Sequence, residues 1–198
     1  MKNHALALGL AAAVLTVAGC NQGANENRSA QTPEAQKAAG TKTIAAGLAP
    51  NSRFVASAKA AGLDQTLAGP GPYTVLVPAD AAFDSAPAGT FDAKPGNRAQ
   101  LTGVLTNLIL PGTVLVADID KAIDAGKGKA VLATMGGGTL TATKEGGKTV
   151  LTDSAGHKAT ITQADEQYSN GVVQHIDALL MPGKEQAAKP AAGRKAGG

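Results

Sequence analysis

Tryptophan is absent from this chain of 198 residues, which carries only two tyrosines and three phenylalanines. So few rings exclude the aromatic stacking platform that holds single-stranded nucleic acid, and they disfavour an aromatic-lined sugar site. Those five side chains are expected in the core. Histidine occurs three times and cysteine once, so a zinc site has too few ligands and an internal disulfide is excluded. Apolar runs long enough to span a bilayer are missing too: the longest, Ala5–Val17, has thirteen residues. No unit repeats at a period of 20–50 residues. The formal charge of +3 is unevenly placed. Residues 43–183 hold ten Lys/Arg against twelve Asp/Glu, whereas the segment 184–198 sets Lys184, Lys189, Arg194 and Lys195 against Glu185. A basic balance carried by terminal segments does not indicate nucleic-acid binding.

The single cysteine is placed where one specific chemistry needs it. Lys2 precedes the apolar run, which ends in Leu15-Thr16-Val17-Ala18-Gly19-Cys20. This pattern resembles a bacterial lipobox, and the resemblance implies removal of residues 1–19 as a lipoprotein signal peptide and acylation of Cys20. The alternative is a plain secretory signal cleaved near Ala18, with Cys20 incidental. Two or three acyl chains would anchor the protein durably, since each buried methylene contributes about 0.8 kcal/mol and one chain alone binds marginally. Asn21 stands where an aspartate would resemble an inner-membrane retention signal, so the outer membrane of a bacterial envelope is the expected location.

Residues 20–42 read as a flexible tether, because 21–42 contain no large apolar side chain that could offset ordering entropy. Such a length reaches about 25 Å. Residues 184–198 read as a disordered basic tail. Between them the pattern is that of a folded domain, 43–183. Asn51 or Ser52 caps a helix with Phe54, Val55 and Ala58 on its apolar face and Gly62 as its stop. Tyr73, Val75 and Val77 alternate as a strand that Pro78 ends, and a helical turn over 81–85 follows. Leu101, Val104, Leu105 and Leu108 mark a helix stopped by Pro111-Gly112. Val114 and Val116 alternate as another strand, and Asp118–Ile123 turns into a short helix. Strands then fall at 129–134, 139–144, 149–153, 158–163 and 172–176, with Gly146-Gly147 in a hairpin turn. Helices first and strands later, without regular alternation, predict an α+β domain.

Two segments carry a resemblance beyond these patterns. Tyr73-Thr74-Val75-Leu76-Val77-Pro78-Ala79-Asp80-Ala81-Ala82-Phe83 and Ser169-Asn170-Gly171-Val172-Val173-Gln174-His175-Ile176-Asp177-Ala178-Leu179-Leu180-Met181-Pro182 resemble the two signature boxes of the fasciclin (FAS1) domain. Leu63–Pro72 and Leu105–Gly112 resemble the stretches before box one and at the family's centre. The resemblance implies a wedge-shaped β-sandwich with packed helices, and a role in cell adhesion and surface contact. Asn107-Leu108 replaces the family's central Tyr-His pair, so integrin-type adhesion is not carried over. Gln174 stands where the family usually has histidine, with His175 one place later. On a strand these two face opposite sides, and a structural polar role is expected for them ahead of a ligand contact.

Other motifs fail on inspection. Gly147-Lys148-Thr149 resembles the end of a phosphate loop, but Ala142 occupies the required earlier glycine and the context is a hairpin. Asp118, Asp120 and Asp124 have calcium-like spacing without the glycine or final glutamate of a calcium loop. Asp153, Ser154 and His157 could supply a catalytic triad by composition, but they crowd one turn and lack the G-x-S-x-G elbow. The expectation is a non-catalytic module with no metal and no cofactor. It is lipid-anchored at Cys20 and contacts a protein or polysaccharide partner, with no nucleic acid. The alternative is a carrier of an apolar ligand, lipid or pigment, in a pocket lined by Phe54, Phe83, Leu101 and Leu108.

Overall fold

The computed structural model describes residues 40–92 and 94–183. The expected signal peptide, Cys20, most of the tether and the basic tail lie outside the described residues. Seven strands form one mixed sheet among them: β1 (Tyr73–Pro78), β2 (Ile109–Pro111), β3 (Lys129–Ala133), β4 (Thr139–Glu145), β5 (Lys148–Thr152), β6 (Lys158–Tyr168) and β7 (Gly171–Ile176). The spatial order is β2-β1-β7-β6-β5-β4-β3. Only β1 and β7 run parallel, and all other neighbours are antiparallel.

The helices all precede β3, with β1 and β2 among them, as expected for an α+β domain. They are α1 (Ile44–Gly47), α2 (Arg53–Ala61), α3 (Asp64–Ala68), α4 (Arg98–Thr106) and α5 (Val116–Ala125). Helix α2 begins as its sequence dictates: the Ser52 hydroxyl accepts from the Val55 N–H at 3.3 Å, and Gly62 ends it in the left-handed conformation at φ 77°. Asp80, from box one, adds a second cap by accepting from the Arg53 N–H at 2.9 Å. A 3-10 turn over Asp80–Ser85 drives Phe83 into the core, where Phe91 meets it edge-on at 4.8 Å.

The two box segments become neighbours. Strands β1 and β7 lie in parallel register from Tyr73 opposite Gly171 to Pro78 opposite Ile176. Val75, Leu76 and Val173 are fully enclosed, so this central pair is covered on both faces. That is why β1 shows no in–out alternation in burial despite its alternating residues. Strand β6 joins the two halves of the sheet. Its first residues pair with β5 and the remainder with β7, with register shifts around Gln163 and a positive φ of 56° at Asp165. The expected wedge is built from one continuous seven-stranded sheet that curls on itself through β6. At its far ends the Met135 N–H donates to the Ile109 carbonyl at 2.8 Å, drawing the segment after β3 onto β2 and leaving the sheet a near-barrel.

Three expected boundaries are corrected. Helix α4 ends at Thr106 with Asn107 as its cap, not at Pro111-Gly112, because Ile109–Pro111 is strand β2 paired with β1. Leu108 is still fully buried, but beyond the helix. Val114 and Val116 form no strand: Val116 opens α5, whose Ile119 and Ile123 lie one turn apart and pack on the sheet. Strand β6 runs to Tyr168, five residues past its expected end, because the irregularity at Asp165 bends the strand without ending it.

Candidate contact site

Three polar side chains set the geometry of the box segments: Gln174 and Asn170 are buried, and His175 is partly exposed. Gln174 is fully buried on β7 with every polar atom engaged. Its Oε1 accepts from the Asp165 N–H at 2.8 Å, and its Nε2 donates to Asp165 Oδ1 at 2.6 Å and to the Val114 carbonyl at 3.1 Å. Asp165 Oδ1 also accepts from the Val116 N–H at 3.0 Å and so fastens the start of α5. The expected structural role of Gln174 is the one observed. A buried amide must satisfy all of its hydrogen-bonding capacity, and here doing so joins β7, the β6 irregularity and the entry to α5.

His175 projects to the other side, as the strand period requires. Its Nε2 lies 2.8 Å from Glu166 Oε2, while the Tyr168 hydroxyl donates to Glu166 Oε1 at 2.7 Å. The hydrogen bond from His175 holds the Glu166 carboxyl below its ordinary value, aided by Tyr168 and opposed by burial. Burial, followed by the Glu166 contact, pushes the Tyr168 phenol well above its ordinary value.

Asn170 is the third such group. Its Oδ1 accepts from the Ile44 N–H, and its Nδ2 donates to the Leu67 and Gly69 carbonyls, all at 2.8 Å. One side chain therefore fixes α1, the end of α3 and the loop leading to β1. Gly171 follows at φ 149°, and a Cβ there would collide with the Tyr73 carbonyl; a Cβ on Gly71 would collide with the Asn170 carbonyl. Only glycine permits that approach of backbone to backbone.

Beside this junction lies an open cleft of about 690 Å³, walled by 68–72, 113, 115 and 167–172 with Thr43. None of its fourteen lining residues carries a charged side chain. The walls offer the Thr43, Thr113 and Ser169 hydroxyls and the Gln167 amide, interleaved with Pro70, Pro72, Leu115 and Val172. Such a surface can hold a partner by hydrogen bonds and apolar contact, and it contains no acid–base pair or charged nucleophile. Sequence reasoning missed it. The signal was there in Gly69-Pro70-Gly71-Pro72, a stretch whose two prolines lack a backbone N–H and whose two glycines lack a side chain.

The remaining candidates are distributed elsewhere. Phe54, Phe83, Leu101 and Leu108, which the alternative of an apolar-ligand carrier places around a pocket, are 1%, 3%, 1% and 0% exposed. They are core residues and none reaches the cleft. Asp153 and His157 do meet, with Oδ2 2.8 Å from Nδ1. The same carboxylate accepts from the Ala155 and His157 N–H groups and, across the fold, from the Met181 N–H at 2.8 Å. Ser154 Oγ accepts from the Gly183 N–H at 3.1 Å. The cluster is a clasp for the segment that leaves β7. Asp120 bonds Lys144 at 2.9 Å and the Thr149 hydroxyl at 3.0 Å, and the Lys144 contact holds its carboxyl low. Among the described residues no group of acidic, histidine or cysteine side chains could hold a metal ion. Asn107 is buried with its Oδ1 accepting from the Thr134 hydroxyl at 3.1 Å. The segment that replaces the family's Tyr-His pair is sealed from solvent.

Comparison with known proteins decides the relationship. The fasciclin domain model matches residues 50–182. The chain belongs to the fasciclin family. It is 34% identical over 141 residues to Protein sll1483 of Synechocystis, covering 70% of this chain and 71% of that protein. It is also 34% identical over 127 residues to the transforming growth factor-beta-induced protein ig-h3 of Sus scrofa, covering 64% of this chain and only 17% of that longer one. An uncharacterised Synechocystis protein, sll1735, is 29% identical over 135 residues and covered to 90%. The fold resembles that of a FAS1 domain pair from the insect cell adhesion molecule Fasciclin I. There the TM-score is 0.56 at 16% identity, covering 75% of this chain and 53% of that one. The fasciclin domain is a general interaction module found in adhesion proteins.

Proposed function

We propose that this fasciclin domain is a non-catalytic contact module of a bacterial envelope, attached to the outer membrane by acyl chains on Cys20, and that the uncharged cleft is where it touches a protein or polysaccharide partner. The observation that carries the reading is the cleft itself. It is open, free of charged side chains, and walled by residues that flank both box strands. Its floor is rigid, because Asn170 and the close glycine contacts fix the backbone on which it is built. Membrane confinement raises effective concentration, so a single shallow cleft suffices for weak, repeated contacts.

Two variants test the two halves of the reading. Thr113 is exposed on the cleft wall, and Thr113→Trp should fill the cleft, lowering surface attachment and capture of envelope components without altering the far-ultraviolet circular dichroism. Cys20→Ser should release the protein from the membrane fraction and leave its fold intact. Full attachment by a folded Thr113→Trp protein would remove the cleft from the account. A Cys20→Ser protein that stays with the membrane would remove the anchor.

A further inference from the structure

Asn170-Gly171 is the one Asn-Gly pair in the chain. In a flexible peptide this pair carries a chemical weakness, because glycine has no side chain to keep its N–H away from the asparagine amide. The Gly171 nitrogen gives up its proton and attacks Asn170 Cγ, forming a new C–N bond. The Cγ–Nδ2 bond breaks, and Nδ2 takes up a proton and leaves as ammonia, so that a five-membered imide closes. Water then opens the ring at either carbonyl, giving aspartate or isoaspartate. One water enters, one ammonia leaves, and nothing is oxidised or reduced.

The folded domain withholds every atom of that reaction. Asn170 is 7% exposed. The Ile44 N–H holds its Oδ1, and the Leu67 and Gly69 carbonyls hold its Nδ2. Ring closure requires the side chain to swing onto the Gly171 nitrogen, which breaks all three bonds. The backbone is fixed as well. The Tyr73 N–H donates to the Asn170 carbonyl at 3.0 Å, and Gly171 lies so close to Tyr73 that a Cβ would stand 1.9 Å from the Tyr73 carbonyl oxygen.

We propose that Asn170-Gly171 is a modification site gated by the fold: the amide survives while the second box is seated, is hydrolysed when the β6–β7 turn opens, and leaves a product that bars the turn from closing again. An aspartate at this position aims a carboxylate oxygen at the Leu67 and Gly69 carbonyls, where an N–H now donates, and buries a charge without a partner. Isoaspartate adds a methylene to the main chain where β7 meets β1 most tightly. Asn170 and Gly171 both wall the cleft, so the modification turns a transient loss of that surface into a permanent one.

The test keeps the whole chain, in detergent if it carries lipid, in mildly alkaline buffer, one sample folded and one unfolded in guanidinium chloride. Conversion of Asn170 is followed by mass spectrometry of its peptide. It should be slower by about a hundredfold or more in the folded sample, because it tracks the population of the open form. On removal of denaturant, briefly unfolded chains should recover the native circular dichroism, and converted chains should not. Asn170→Asp, which makes one product directly, should show a lower urea midpoint than the unmodified chain or fail to fold. Equal conversion in the two samples, no conversion in either, or converted chains that refold with the original urea midpoint would overturn the assignment.

Discussion

Asn170 concentrates more of the fold in one side chain than its place in a turn suggests. In the sequence, Asn170-Gly171 reads as a turn signal. Nothing local shows that the amide reaches Ile44, more than a hundred positions away, as well as Leu67 and Gly69. Asn170→Ala removes all three bonds and leaves buried partners unsatisfied, so a loss of about 3 kcal/mol is expected in urea unfolding. Gln174 was legible in outline, since a polar residue at an inward strand position must find partners, but Asp165 could not be named in advance because a strand irregularity placed it there. Glu166 gives a pH signature. Its folded carboxyl is held below the ordinary value of 4.5 by His175 and Tyr168. A lowered folded value stabilises the fold above the unfolded value, and that contribution is lost as pH falls below about 4.5. Glu166→Gln should therefore reduce stability at pH 7 and flatten its decline between pH 5 and pH 3, read as urea midpoints across that range. Parallel curves for the two proteins would show that the carboxylate contributes nothing.

Elements were legible where a local signal met no competitor. Ser52 and Gly62 bracket α2 as their chemistry requires, and Ser52→Ala should cost about 1 kcal/mol, because the Asp80 carboxylate still caps Arg53. Gly146 and Gly147 sit at φ 57° and 78° in the β4–β5 turn. Alanine at Gly146 should cost about 1 kcal/mol, measurable as a shift in thermal midpoint, with the hairpin retained. The failures share a cause. Val114 and Val116 alternate over too short a stretch to outweigh the helical spacing of Ile119 and Ile123, and the partner that starts α5 at Val116, Asp165, is distant in sequence. The apolar spacing carries the helix on to Pro111 because Leu108 continues its apolar face. Leu108 is indeed buried, but Ile109 and Leu110 pair with β1 and end the helix sooner. Local periodicity reports which residues are inside; it does not report which neighbour they meet.

At the scale of the whole molecule, the two boxes that named the family are distant in sequence because they are adjacent in space, as the parallel pair β1–β7. A parallel pair needs a long crossover, and here the crossover contains every element from the Asp80 turn to β6. The cleft lies at the end where β1 and β7 begin, so its walls are drawn from both sides of that crossover. It remained hidden in the sequence because hydroxyls, prolines and glycines become a surface only when the topology gathers them. Its neutrality sets the last expectation. The chain's 18 Lys/Arg and 15 Asp/Glu lie outside the cleft, so an attachment made by those groups would weaken as salt shortens the Debye length from about 10 Å at 0.1 M to about 3 Å at 1 M. Contacts made through the cleft carry no such dependence, and apolar contacts are slightly strengthened by excluded salts such as sulfate. Attachment of the anchored protein to its partner surface should therefore persist from low salt to 1 M sodium chloride, and be lost with Thr113→Trp at every concentration. Attachment that fades with salt and ignores Thr113→Trp would place the contact on charged groups outside the cleft.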